Sequence, residues 1–454
     1  MIERYTRSEM GALWSEDTKF ARWLEVELGL LLVLEARGEI PRGTHAQVRA
    51  KARYERARID ELEATLGHDV IAFLTALAEH LGPESRFVHH GMTSSDLLDT
   101  ALALTVRDAG ARLLSEIDRL RTELRAQALA HQHTVVIGRT HGIHAEPTTL
   151  GLKFLLAWEE LGRARARLVA AVAEAAVGKL SGAVGTFAHL APAIETKLMA
   201  ELGIGAAPIS TQVVPRDRHA ALLSAIALAG ANLERLATEI RNLQRTEIRE
   251  LEEPFGRNQK GSSSMPHKRN PILCERVAGL ARVLRGNALA AIENVALWHE
   301  RDITHSSVER VILPDSFILL DYMLDLMVKV IHGLHIYPEA MAQNLAKTGG
   351  LIFSQRILLA LTEHGLSRED AYAIVQRNAM ASWRGEGNLR ELLLADPAAT
   401  AHLDREELDR LCDPAYFVRN VDAIFERVLA AGEPAPPPAT ARAADAQPAG
   451  AERR

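Results

Sequence analysis

Leu222, Ile226, Ala229, Leu233, Leu236, Ile240 and Leu243 recur at alternating steps of four and three, the spacing of a heptad seam in a long bundle helix. The pattern predicts one helix from Asp217 to about Glu253, roughly 50 Å long at about 1.5 Å per residue. A small compact domain has no room for such a helix, so it needs partners of similar length. Four other segments offer them. One follows Ser95, with Asp96 and Asp99 expected in its first turn, and carries Leu97, Ala101, Leu104, Leu114, Ile117, Leu120 and Leu124. A second runs from about Thr149 to Val177 and is expected to stop at Gly178. A third begins at Pro271 and carries Val277, Leu280, Leu284, Ala291 and Val295. A fourth follows Pro314, through Phe317, Leu320, Leu324, Met327 and Ile331.

The fold class is therefore all-α, a long-helix bundle with smaller helical N- and C-terminal domains. Residues 1–93 read as an N-terminal helical domain with helices at Asp17 to Arg37 and Asp60 to Leu81. Residues 94–341 read as the central bundle and 342–431 as a C-terminal helical domain. Residues 432–454 form a Pro/Ala-rich tail without large apolar side chains, expected to be disordered. Helices this long often bury a remaining apolar stripe against further copies of the chain, so an oligomer is expected.

Hydrophobic residues make up 47% of the 454, enough for a large core, while aromatics are only 5%, which favours helix packing. The net charge of −6 argues against general nucleic-acid binding, so an anionic substrate must be held by local basic groups. Two cysteines, Cys274 and Cys412, make no disulfide framework and fit a reducing cytoplasm. The N-terminus lacks an apolar run of signal length, and no 18-residue uncharged stretch occurs, so no membrane span is expected.

Chemistry concentrates in the loop Gly261-Ser262-Ser263-Ser264-Met265-Pro266-His267-Lys268-Arg269-Asn270-Pro271. Glycine and serines give accessible backbone N–H groups and hydroxyls, and Lys268 and Arg269 add positive charge. Asn270-Pro271 reads as a helix N-cap followed by a first-turn proline. Such contents suit binding and polarising a carboxylate. The two long helices would leave an unstructured stretch of 18 residues, 254–271, and a loop that long is usually functional. Gly256 to Ser262 is no Walker loop, because its order is Lys-Gly-Ser and no strand precedes it. Two further segments are dense in polar groups. His131 to Glu146 (HQHTVVIGRTHGIHAE) places Arg139, Thr140 and His141 between glycines 138 and 142, with no metal-ligand spacing that would make a zinc site. His89 to Asp96 (HHGMTSSD) leads into a helix whose N-terminus, with Thr93 and Ser94, suits an anion.

The loop resembles the GSSxMPxKxNP signature of the fumarase/aspartase superfamily at every fixed position. GRTHGxHAEPTT and HxGxTSxD match two further regions, and His141 and His267 make the chain similar to the adenylosuccinate lyase family. Argininosuccinate lyases and carboxymuconate cycloisomerases are the alternatives; the former usually carry glutamine at the position of His267, and the latter lack a counterpart of His141. The resemblance spans roughly residues 1 to 430. It implies a carbon–nitrogen lyase acting by anti β-elimination of fumarate, on adenylosuccinate and on SAICAR, in purine biosynthesis. It implies a homotetramer with a twenty-helix core and active sites shared between subunits, no metal and no organic cofactor. By residue, it implies Ser262 as an ionised base, with Ser263 as rival, and His141 as acid oriented by Glu275. It implies substrate contacts from Arg4, Tyr5, His68, Asp69, His89, Thr93, Ser94, Gln212, Ser263, Lys268, Asn270, Arg301, Ser306 and Arg310. Many relatives carry a basic or polar residue where this chain has Gly67, so a side-chain contact to phosphate is not expected there.

Overall fold

The computed structural model describes residues 2–431; the tail expected to be disordered lies outside them. Five long helices form the centre. They are α1 (Ser94–Ala130), α2 (Leu150–Ala175), α3 (Asp217–Leu243), α4 (Ile272–Glu293) and α5 (Thr304–His332). Neighbours pack in the order α1–α2–α3–α4–α5, and α5 returns to α1. Successive helices alternate in direction. Lys179, just after α2, meets Asp96 at the start of α1, and Gln127 near the end of α1 reaches the Ile331 carbonyl at the end of α5. The end carrying Ser94 is called proximal here, and the opposite end distal.

All seven residues of the α3 seam are buried, and they share one core with Leu113, Leu120, Leu168, Leu284, Phe317 and Leu324 of the other helices. By length and composition α3 could cross a membrane, but most of its most apolar stretch is buried inside the bundle. A second cluster joins Phe20, Trp23 and Phe73 to Leu97 and Leu104 of α1. A third gathers Ile357, Leu361, Leu389 and Leu408.

Several boundaries differ from the sequence expectation, each for a long-range reason. The helix α3 stops at Leu243, about ten residues early, because Glu250 and Glu253 are drawn inward. Glu250 is fully buried and takes both guanidinium nitrogens of Arg139, at 2.7 and 3.1 Å, and Asn344 at 2.9 Å. The Glu253 carboxylate accepts the N–H groups of Leu273 and Cys274 at 3.0–3.2 Å and so caps α4. Asn270 is therefore not the cap. Its amide donates to the Gly261 carbonyl at 2.9 Å, and Pro271 occupies the cap position. The helix α2 ends at Ala175, and Val177–Gly178 instead pairs in parallel with Gly205–Ala206. Gly178 is there for space: a Cβ would lie 2.5 Å from the Met199 sulfur. The helix α5 begins ten residues before Pro314, which sits inside it and costs the bond the Arg310 carbonyl would otherwise receive. The expected helix Asp60 to Leu81 is two, Arg56–Leu66 and Asp69–Leu81, broken by Gly67 in the left-handed region at φ 65°. Asp99 lies beyond the first turn of α1, which Thr93 caps with Asp96 as reciprocal partner.

At the distal end, β1 (Val135–Thr140) and β2 (Ile143–Thr149) form an antiparallel hairpin where sequence had indicated only a short apolar run. Its two-residue turn is His141-Gly142, with φ 56° and 78°. Both values are positive, as a type I′ turn requires, which explains Gly142 and puts His141 at the tip. The hairpin is seated on the end of α1 through Gly151, where a Cβ would meet the carbonyls of Ala128 and His131 at 2.6 and 2.7 Å. Backbone cannot yield as a side chain tip can. Gly151→Ala is expected to destabilise the fold by about 1–3 kcal/mol, read as a lower midpoint in urea unfolding.

Candidate active site

The bundle sorts the sequence-derived site residues into two groups. The proximal group surrounds the start of α1. The Thr93 N–H donates to Asp96 at 2.9 Å, and Asp96 is fully buried against Lys179. The Ser94 hydroxyl lies 3.5 Å from His68 Nε2. His68 caps its helix, its Nδ1 accepting the Ile71 N–H at 3.4 Å. Asp69 pairs with Arg310 at 2.7 Å. Burial raises the Asp69 carboxyl, but Arg310 and the Val70 N–H outweigh it and leave the group below its ordinary value. Arg301 donates to the Gln212 side chain at 2.9 Å, and the Gln212 amide donates to the Ala183 carbonyl at 3.1 Å. Ser306 lies one turn before Arg310 on α5. His89 has a positive φ of 59° and is bound twice to buried Glu27, through its N–H at 2.8 Å and its Nδ1 at 2.7 Å.

The distal group lies at the other end of α3, about 40 Å away for 27 residues at about 1.5 Å each. It holds the loop before α4, Glu275 in the first turn of α4, and the hairpin tip. Within the loop, Ser262 Oγ accepts the N–H groups of Ser264 at 3.3 Å and Met265 at 3.1 Å. Gly261 permits this local fold, because a Cβ there would lie 1.9 Å from the Lys268 carbonyl. Ser263, Lys268 and Glu275 are exposed. His141 is also exposed, and among the described residues it has no side-chain partner, so Glu275 does not orient it within one chain. Arg139, read from sequence alongside Thr140 and His141, is instead committed to Glu250. A cavity of about 1060 Å³ lies beneath the tip, lined by Gly142 to Glu146, Lys347, Thr348, Ser382 and Trp383 among others. Arg4 and Tyr5 belong to neither end. Tyr5 packs on Tyr322, partway along α5, with ring centres 5.3 Å apart.

Sequence reasoning missed Glu250 and Glu253, which hold the hairpin and cap α4. The acidic run Glu250-Leu251-Glu252-Glu253 directly before the loop was the available signal. It also missed Lys179, Arg216 and Glu309, buried charges of the proximal end. Two of the histidines outside the turn are accounted for locally, His131 facing Thr134 and His133 facing Asp422, while His144 lines the cavity and its buried Nδ1 has no hydrogen-bond partner among the described residues. Among the described residues no three metal-ligating side chains converge.

Residues 33–286 match the family model described as lyase, and residues 350–428 match the one described as adenylosuccinate lyase C-terminus. The chain is 48% identical over 432 residues to an adenylosuccinate lyase of Aquifex aeolicus, covering 94% of this chain and 99% of that protein. It is 47% identical to one of Bacillus subtilis, covering 94% and 99%. Among solved structures, a fumarate lyase from Mesorhizobium sp. BNC1 superposes with a TM-score of 0.87 at 28% identity, over 95% of this chain and 99% of that one. A 3-carboxy-cis,cis-muconate lactonizing enzyme from Pseudomonas putida gives 0.87 at 29%, over 94% and 97%. The likeness in shape extends to the cycloisomerases; the C-terminal match and the sequence identity separate this chain from them.

Proposed function

The chain belongs to the adenylosuccinate lyase family, and we propose from that premise how its residues divide the work. The reaction is the elimination of fumarate from adenylosuccinate, giving AMP, with SAICAR as second substrate. A base removes a proton from the carbon next to a carboxylate. The carbanion delocalises only into that carboxylate, so the site must stabilise a second negative charge as it forms. Lys268, Asn270 and the loop N–H groups stabilise it. The leaving nitrogen takes a proton from a general acid, His141.

One observation carries the assignment of the base. Ser262 Oγ already accepts two backbone N–H groups, while among the described residues the Ser263 hydroxyl receives none. Donors aimed at an oxygen favour its charged form, which a serine base needs. Lys268 adds its charge when the loop closes over substrate. Glu275 orients His141 of another subunit. Arg301, Ser306 and Arg310 bind substrate anions with His68, His89, Thr93, Ser94 and Gln212, while Arg4, Tyr5, Asp69 and Ser263 complete the contacts.

The active assembly is a homotetramer in the cytoplasm. Its support is the exposed apolar face near the end of α4, where Leu289 and Ile292, one turn apart, are 61% and 52% exposed. Three helical units, 1–93, 94–341 and 342–431, then meet in each subunit. The purified protein is expected to release fumarate from adenylosuccinate and not from argininosuccinate, followed by ultraviolet absorbance. Turnover of argininosuccinate alone would overturn the reading.

A further inference from the structure

Beneath the proximal group lies a buried ionic junction to which the reaction gives no role. Asp99 of α1 accepts the Val214 N–H at 2.7 Å and both terminal nitrogens of Arg216, at 2.7 and 3.2 Å. Arg216 also donates to the Val214 carbonyl at 3.0 Å, and its Nε lies 3.2 Å from Glu309 of α5. That last contact is an ion pair too poorly aligned for a hydrogen bond, since both atoms lack one. Asp99, with three donors, is the carboxylate kept charged. Burial pushes Glu309 up to about 7, Arg216 only partly offsetting it.

The junction ties together the segments that carry the substrate groups. Gln212 lies two residues before Val214. Its N–H donates to the Glu300 carbonyl at 3.3 Å, and its side chain accepts from Arg301. Glu309 is next to Arg310, which pairs with Asp69. Apolar packing of Val214 against Val177 and Ala207 holds one side of the junction and leaves the other open. A cavity of about 270 Å³ opens among Asp99, Arg216, Arg301, Ser306, Glu309 and Arg310. Fixed geometry beside a void must come from directional bonds, and a guanidinium fork engaging two oxygens of one carboxylate supplies them.

We infer that Asp99 and Arg216 are positioning residues that set the distance between Gln212 and Arg301 and thereby the affinity of the substrate-binding wall. The inference rests on the family reading of that wall. Arg216→Lys keeps the charge beside Asp99 but loses the fork. It is expected to raise KM for adenylosuccinate about tenfold while kcat stays within about threefold, the signature of lost uniform binding. Asp99→Asn keeps an acceptor for the Val214 N–H and is expected to shift KM in the same direction by less, so it carries the test if the lysine variant folds poorly. A merely structural role gives another pattern, because a smaller folded fraction lowers apparent kcat and leaves KM unchanged. In a Gln212→Ala background, Arg216→Lys is expected to add little further to KM, since both act through one contact. KM within twofold of the unmodified protein in both single variants, or effects that multiply fully in the double variant, overturns the inference alone. Absence of adenylosuccinate turnover in the unmodified protein overturns the family reading and this inference with it.

Discussion

Ser262→Ala is expected to lower kcat for fumarate release by about 10³-fold or more, at the strong end of what a positioned base contributes and equal to about 4 kcal/mol of barrier. The argument is electrostatic. A serine hydroxyl is far too weak an acid to lose its proton unaided at neutral pH. The loop points the N–H groups of Ser264 and Met265 at its oxygen, and Lys268 stands six residues on. Alanine removes the only atom those donors address. The fold should hardly notice, because Ser264 and Met265 are exposed and water takes over as acceptor. A change within about 0.5 kcal/mol is expected for such a surface position. Ser263→Ala, which removes a proposed substrate contact but not the base, is the comparison and should raise KM while leaving kcat within about threefold. Single-turnover kinetics with unfolding curves on the same samples check both points. The reverse ranking of the two serines would transfer the base to Ser263.

The bundle was legible in the sequence wherever packing follows local periodicity. The α3 seam needed only its own spacing, and all seven residues are buried as that spacing requires. Boundaries were less legible where a distant charge decides them. Nothing near Leu243 says that α3 must end there. The cause is Glu250, drawn to Arg139 more than a hundred residues away, and Glu253, reaching forward to cap α4. Asn270-Pro271 looked like a sufficient cap by local rules, but a buried carboxylate displaced it. Pro314 misled for the opposite reason: the apolar packing of Leu313 and Phe317 outweighs one missing hydrogen bond. The candidate site residues stood out in the sequence as types and motifs. Their separation into two groups was not, because it depends on the direction of each helix.

That separation leads to the last expected result. His68→Ala and Ser262→Ala proteins, each nearly inactive, should regain up to about a quarter of unmodified activity when dissociated and reassembled together, the statistical share for sites drawing on two subunits. His68 is proximal and Ser262 distal, at opposite ends of α3 and about 40 Å apart by helix length. On the proposed division of roles, one substrate must be held by its phosphate and reach the base at the same time, and a single chain cannot fold its two ends together through a packed bundle. A complete site therefore needs the proximal end of one subunit against the distal end of another. In a random mixture, one such pairing in four joins an intact His68 end to an intact Ser262 end, and that site is unmodified in both. Each variant taken alone through the same dissociation stays inactive, which separates hybrid sites from simple refolding. If the mixture gains nothing while size measurements show that hybrids formed, both groups belong to one chain and the shared site is wrong.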